Sequence, residues 1–297
     1  MPANKTPIAL LLILGLLLIS PLRAQQEVEI NSIQLSQQIF MLTGQGGNIG
    51  LFIGDDGSFV IDDQFAPLTG KILSAIRSVG GDTPRFVINT HFHGDHTGGN
   101  ENLGKSGSIL VSHDKVRERL LNGSFIEAFG MKSPPASKAA LPLLTYSSDM
   151  HFHINGESVQ AIHVAAAHTD GDSIIHFKSS NVVHAGDVFF NGFYPFIDVA
   201  HGGSLRGVIN ATDMILAITD ANSKIIPGHG PLANRADLQK YRDMLNTAYG
   251  RLLKLKNSGQ TVDQAIAASP LADLETNWGG GIFKGDKWIS LVYAGVY

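Results

Sequence analysis

From Glu29 to Asp63 the apolar residues fall into short runs, Ile39-Phe40-Met41-Leu42, Ile49 to Ile53 and Phe59-Val60-Ile61, separated by Gly44 to Gly47 and by Gly54-Asp55-Asp56-Gly57. Runs of this length divided by an Asp-Gly turn predict paired strands. The period changes at Leu68, Ile72, Leu73, Ile76 and Val79, which share one stripe of a helix over 68–79. Arg85-Phe86-Val87-Ile88 then reads as a buried strand, Ile109-Leu110-Val111 as another, and His113 to Leu121 as a helix capped by Ser112. Residues 122–142 break the pattern. Met131-Lys132-Ser133-Pro134-Pro135 cannot continue a helix or a central strand, so this stretch is expected to be a surface excursion, either a flap or a plain connector.

A second strand set follows at Met150 to Ile154, Ser158 to Val164, Ser173 to Phe177 and Val182 to His184, with one more at Lys224-Ile225-Ile226. Helical spacing covers Leu205 to Ala217, Ala233 to Ser258 and Val262 to Ala268. Two strand-rich halves, each closed by helices, predict an α/β (α+β) protein with two packed sheets and helices outside both faces. No repeat and no Pro-, Gly- or Ser-rich linker divides it, so 25–297 is expected to be a single domain. The tail from Trp278 to Tyr297 could dock on that domain or on a partner.

The first residues depart from this pattern. Lys5 precedes an apolar run, Ile8 to Ile19, then Ser20-Pro21 and a small residue at Ala24, the order of a secretory signal peptide over 1–24. The run is short of the roughly 20 residues that cross a bilayer, so no stable membrane insertion is expected after cleavage. A periplasmic location follows as an expectation. The chain has no cysteine, which excludes both a lipid-modified N-terminal Cys and disulfides. Cleavage would remove Lys5 and Arg23, leaving 20 basic against 26 acidic side chains, a net charge of -6. With no basic run interleaved with aromatics, nucleic acid is not an expected partner; a small molecule is.

Chemistry concentrates in Asn89-Thr90-His91-Phe92-His93-Gly94-Asp95-His96-Thr97-Gly98-Gly99-Asn100, which packs three imidazoles and a carboxylate into six residues between a strand and a helix. Spacings of two, two and one need an irregular loop to converge, unlike the four-residue spacing of ligands on a helix face. Three further ligand-type residues lie at strand ends: His168 after Ala165-Ala166-Ala167, Asp187 after His184-Ala185-Gly186, and His229 after Pro227-Gly228. Seven ligands from four strand ends suffice for two metal ions.

This combination resembles the metallo-β-lactamase superfamily over about residues 30 to 245. The resemblance implies a four-layer αββα sandwich with a metal site at one edge of the paired sheets. It also implies that His91, His93 and His168 bind a first zinc, that Asp95, His96 and His229 bind a second, and that Asp187 bridges both. Imidazole nitrogen and carboxylate oxygen suit Zn²⁺ at about 2.0–2.2 Å, although iron or manganese takes similar ligands. The expected reaction is attack on a carbonyl of a small substrate, a β-lactam, lactone or other ester or amide, by a hydroxide held between two zinc ions. Asp95 would orient that hydroxide and take its proton, and Asp62 would support a ligand from behind. Thioester or phosphodiester hydrolysis, dioxygen chemistry at iron, and a metal-binding accessory protein without useful turnover are the competing readings.

For the substrate pocket, the aromatic run after Asp187 offers Phe190, Phe193 and Tyr194, and the excursion offers Phe125, Phe129 and Met131. Asp187 stands where the cysteine-ligand zinc β-lactamases carry Cys, and no Lys follows to grip a carboxylate. The basic helical C-terminal region of glyoxalase II is also missing. His151 and His153 form a second His-x-His, but alternate on a strand with no acid beside them and are expected to be exposed sheet residues. His113 is expected at a helix start, His163 and His176 in strands, and His184 in a packed position, while His201 is a further candidate to approach the site.

Overall fold

The computed structural model describes Met1 and residues 27–297. The signal-peptide expectation for 1–24 lies outside the described residues. Among the described residues no helix is long and apolar enough to cross a membrane.

The first sheet begins as a meander of β1 (Asn31–Gln34), β2 (Ile39–Thr43), β3 (Ile49–Phe52) and β4 (Phe59–Ile61), all antiparallel neighbours. It continues in parallel through β5 (Phe86–Asn89) and β6 (Ile109–His113). Parallel neighbours need a crossover, and helices provide it. Helix α1 (Thr69–Ser78) links β4 to β5; α2 (Gly94–Thr97) and α3 (Asn100–Lys105) link β5 to β6. Helix α4 (Asp114–Asn122) follows β6, and its cap is His113, whose Nδ1 accepts from the Lys115 amide, rather than the expected Ser112. Ser112 is instead inside the strand, buried and paired with Asn89.

The excursion is more ordered than its prolines suggest. It folds into a small hairpin of β7 (Ser124–Ile126) and β8 (Met131–Ser133) before β9 (Leu144–Tyr146) closes the first sheet beside β6. The second sheet runs β10 (Asp149–Ile154), β11 (Glu157–His163), β12 (Ser173–Phe177), β13 (Val182–Phe190), β14 (Lys224–His229) and β15 (Ala233–Asn234). Only β13 and β14 are parallel, and α5 (Leu205–Ile218) makes their crossover. The chain then enters α6 (Arg235–Asn257), closed at its start by an Asn234–Asp237 capping box, and α7 (Val262–Ala267), α8 (Glu275–Trp278) and α9 (Gly285–Val292).

Alternation along each strand assigns its two faces to different layers. Ile39 and Met41 of β2 meet Val159, Ala161, Ile175 and Phe177 of the other sheet in the central layer. Phe40 and Leu42, one residue out of phase, pack with Ile72 and Ile76 of α1. This is why the strand reads as an unbroken apolar run: both of its faces are covered. On the far side, α5, α6 and α9 cover the second sheet through Val208, Leu245 and Trp288. The tail therefore docks on its own domain. Trp288 is fully buried, with its indole N–H donating to the Pro195 carbonyl at 2.7 Å. The four-layer αββα arrangement expected from the resemblance is the one observed.

Candidate metal centre

The loop that leaves β5 is held from beneath by Asp62, at the end of β4. The Thr90 amide donates to Asp62 Oδ1 at 2.8 Å, and Thr90 Oγ1 donates to Oδ2 at 2.7 Å. His96 Nδ1 donates to the same Oδ2 at 2.7 Å, which fixes its tautomer and turns Nε2 outward. Asp62 is fully buried and adopts a φ of 61°, a conformation that L residues enter only when their surroundings over-determine it. His91 and His93 come from the extended loop, while Asp95 and His96 come from the single turn of α2.

The other three residues arrive from the second sheet. His168 is oriented by its own Nδ1, which donates to the Phe196 carbonyl at 2.8 Å. Asp187 does not lie just beyond a strand, as its preceding glycine suggests, but inside β13. Gly186 takes a φ of 53° and the register with β14 shifts on both sides of it, so this is a bulge that re-aims the next side chain. His229 ends β14, at the same edge of the sheet.

All seven candidates meet there. His93 Nδ1 lies 2.8 Å from His168 Nε2, while Asp187 Oδ2 lies 3.5 Å from His168 Nε2 and 3.7 Å from His91 Nε2. On the other side, Asp187 Oδ1 lies 3.0 Å from His96 Nε2 and 3.5 Å from His229 Nε2. Asp95 Oδ2 is 3.2 Å from His229 Nε2 and 3.6 Å from His96 Nε2. The two oxygens of Asp187 thus face two separate groups of donors.

Burial and charge set the protonation of these groups. Burial, aided by His96, presses His91 well below its ordinary value and burial brings His168 down to about 4. Burial also opposes charge on His229, but Asp187 and Asp95 outweigh it and lift the imidazole to about 9. His96 is raised for the same reason, by Asp187, Asp95 and Asp62. Burial would raise the two carboxyls, yet His96 and His229 hold Asp95 at about 2, and His96, His229 and His91 hold Asp187 well below the carboxylate range.

The residues fit divalent cations. His91 Nε2 and Asp187 Oδ1 are buried with no hydrogen-bond partner, an expense that a bound ion would remove. A Cβ at Gly47 would fall on the His96 imidazole, and one at Gly228 on Asp187 Oδ1, so both approaches are kept bare. The donors are imidazole nitrogen and carboxylate oxygen alone, the chemistry that Zn²⁺ shares with iron and manganese.

Asp198 was not singled out from sequence, and Phe196 only as the end of the aromatic run that starts at Val188. Asp198 Oδ2 accepts from His93 Nε2 at 3.0 Å and from His201 Nδ1 at 2.7 Å, so His201 approaches the site through Asp198 rather than directly. Phe196 lies with its ring centroid 5.6 Å from that of His93 and 5.7 Å from that of His168. Asp198 has no motif, because it is placed by the loop after β13. Of the aromatics expected to line a pocket, Phe190 stacks on His229 at 5.1 Å and Phe193 lies 5.6 Å from Phe190. Phe129, on the tip of the β7–β8 hairpin, lies 5.0 Å from Phe196. Tyr194 is a correction: it is 1% exposed and stacks on Trp288 at 4.8 Å, so it belongs to the core beneath α9. His151 and His153 are exposed on the edge strand β10, as expected.

Residues 42–229 match the family model described as the metallo-beta-lactamase superfamily. Among curated proteins, the chain is similar to the acyl-coenzyme A thioesterase MBLAC2 of Bos taurus, 22% identical over 219 residues, or 65% of this chain and 76% of that protein. It is also similar to the hydroxyacylglutathione hydrolase of Nitrosococcus oceani, 27% identical over 154 residues, or 50% of this chain and 49% of that protein. Among solved structures, a metallo-beta-lactamase from Pontibacter korlensis superposes with a TM-score of 0.58 at 16% identity, over 73% of this chain and 99% of that one. A variant of the sec-alkyl sulfatase PisA1 superposes with a TM-score of 0.69 at 16% identity, over 90% of this chain and 51% of that one. At such identities the structural likeness is one of fold.

Proposed function

Because the chain belongs to the metallo-beta-lactamase superfamily, we propose that it is a dinuclear zinc hydrolase, exported to the periplasm, that cleaves a carbonyl derivative of a small molecule. The observation that carries this reading is Asp187, whose two oxygens face two donor groups, one of them left without a hydrogen bond. His91, His93 and His168 would hold one ion, Asp95, His96 and His229 the other, and Asp187 both. When bound, such ions polarise a carbonyl and bring the pKa of water toward roughly 7.

The protein's own groups supply position. Asp62 and Asp198 accept from the outward nitrogens of His96 and His93, so that the other nitrogen of each ring points inward. Asp95, 28% exposed, reaches the open side of the cluster. There its carboxylate would orient water by accepting its hydrogen bond and would take the proton, the role expected for it from the sequence. Phe190 and Phe196 shield the imidazoles from bulk water on two sides.

The names of the two curated relatives support an acyl compound, a thioester or ester, as the substrate. Opening of a β-lactam or lactone belongs to the same reaction class. Metal analysis of the purified chain should find two zinc ions per chain, and fewer than about one would overturn the dinuclear reading. The zinc-loaded protein is then offered a thioester, an ester, a lactone, a chromogenic cephalosporin and a phosphodiester. A carbonyl compound should turn over fastest. A faster phosphodiester would sink the carbonyl assignment, and no turnover at full metal content would point to a metal-binding accessory protein.

A further inference from the structure

The β7–β8 hairpin is a two-stranded sheet that pairs with neither sheet of the sandwich. In its register Phe125 stands opposite Lys132, and Ile126 opposite Met131. Opposite residues of an antiparallel pair share a face, and successive residues point to different faces. Ile126 is buried and lines a cavity against α9, so its face turns to the body of the protein. Phe125 and Lys132 therefore turn outward together, and Phe125 is 54% exposed. In the turn, Phe129 is 41% exposed, and its ring lies 5.7 Å from that of Phe283. That contact brings the hairpin tip beside Ile282, which is 72% exposed. Large apolar side chains held in water at one edge mark a contact surface.

The charge at this edge is opposite in sign to that of the chain. Lys132 on the hairpin, with Lys284 and Lys287 at the start of α9, stands against Glu127 and Asp286, a local charge of +1 in a chain of net charge -4. All three lysines are exposed, and the lysine ion pairs among the described residues belong to Lys71, Lys105, Lys115 and Lys240 instead. Their alkyl stems can lie along an apolar surface while the ammonium stays at its polar boundary. Strands of three residues are too short an edge for another chain to extend, and the apolar groups come from two separate segments. A fluid layer accommodates both without matching their shape.

We propose that the tip of the β7–β8 hairpin, with Ile282 beside it, docks the protein on an anionic lipid surface, the apolar side chains entering the headgroup layer and the lysines meeting the lipid phosphates. The attachment is peripheral and reversible, with no segment crossing the bilayer. Apolar insertion alone binds marginally, and a second, electrostatic signal makes it stable. Phe129 lies 5.0 Å from Phe196, whose ring stands beside those of His93 and His168, so docking holds the candidate centre close to the lipid. The inference concerns attachment and stands apart from the carbonyl-hydrolase reading.

Because the chain has no cysteine, Phe125→Cys and Ile33→Cys can each carry one environment-sensitive fluorophore in the full-length protein, the second on the far edge strand β1. Vesicles of phosphatidylcholine alone are compared with an equimolar mixture of phosphatidylcholine and phosphatidylglycerol. The label at 125 should shift to the blue on the mixed vesicles and fade back at high salt, while the label at 33 stays as in water. A lysine at an anionic surface is worth about fivefold in binding, so Lys132→Glu in the Phe125→Cys background should weaken the titration by about tenfold or more. Ile282→Ser, at an exposed position, should weaken it by up to about tenfold. No shift at 125, equal shifts at 125 and 33, or titrations unchanged by both substitutions overturn the docking surface. Equal shifts on the two kinds of vesicle overturn the anionic assignment. A shift at 125 that appears without vesicles as the protein dimerises in sedimentation velocity makes a second copy the occupant and overturns the lipid.

Discussion

The cradle of seven ligand-type residues and the lip formed by the β7–β8 hairpin with the start of α9 lie side by side and are built in opposite ways. In the cradle, His93, His96 and His168 are each pinned by a hydrogen bond on the nitrogen that faces away from the cluster. In the lip, strands of three residues and the turn between them display Phe125, Phe129 and Met131 with much of their surface in water. Groups that must converge to within a few tenths of an ångström are carried on the ends of buried strands, and groups that only have to exclude water ride on a short hairpin. A site divided in this way can change its substrate without disturbing its chemistry.

The largest effect should come from the residue on which the cradle centres. Asp187→Ala should lower metal content to one ion or fewer per chain and cut turnover by at least about 10³-fold, read by metal analysis and initial rates. Retention of two ions would break the contrast between cradle and lip. Asp198 touches both regions, since it bonds His93 and lines a cavity together with Ile126 and Ala128 of the hairpin. Asp198→Asn should weaken the ion nearest His93 by about 10–100-fold, measured by competition with a chelator, with the other ion unaffected.

A buried carboxylate outside both regions sharpens the distinction further. Glu157 accepts from the amides of Ser158, Ser179 and Ser180 at 2.8–2.9 Å. Burial would raise its carboxyl, but these bonds outweigh it and hold it below 4.5. A depressed carboxyl contributes stability that is present above its unfolded value and lost as pH falls through the folded one. Glu157→Gln should therefore cost about 1 kcal/mol near neutrality, with the difference shrinking as pH falls below the ordinary carboxylate range, while metal content and rates stay the same. The smallest effect belongs to His151→Ala, within about 0.5 kcal/mol of wild type and with unchanged metal content, because an exposed His-x-His on an edge strand lacks the converging loop.

Much of this was legible in the sequence where one residue type recurs with a period or a motif is dense. The β2 run, the stripe of α1 and the histidine loop each carry their own signal. Asp187 was found, but its strand was cut short at His184 because Gly186 reads locally as a turn. Only pairing with β14 shows that β13 passes through a bulge and runs on to Phe190. The same extension determines which aromatics face the cluster, and Tyr194, indistinguishable by type from its neighbours, is drawn into the core by Trp288, 94 positions later. Asp198 gave no signal at all. Its role depends on a loop that folds back on His93 across 105 residues, and separations of that kind are set by tertiary packing rather than by local preference.

The docking of the tail also has an optical consequence. The chain contains two tryptophans, Trp278 and Trp288, and both lie in the segment that closes the second sheet. Its indole emission therefore reports on that segment and not on the central layer between the sheets, where Phe52 and Phe177 meet edge to face. A denaturation curve followed by tryptophan fluorescence tracks the release of α9 from Pro195 and Tyr194. Followed by far-ultraviolet circular dichroism, it tracks the sheets. Coincidence of the two midpoints would mean that the lip and the sandwich melt as one unit, whereas an earlier fluorescence midpoint would reveal a state in which the lip has lifted away from an intact cradle.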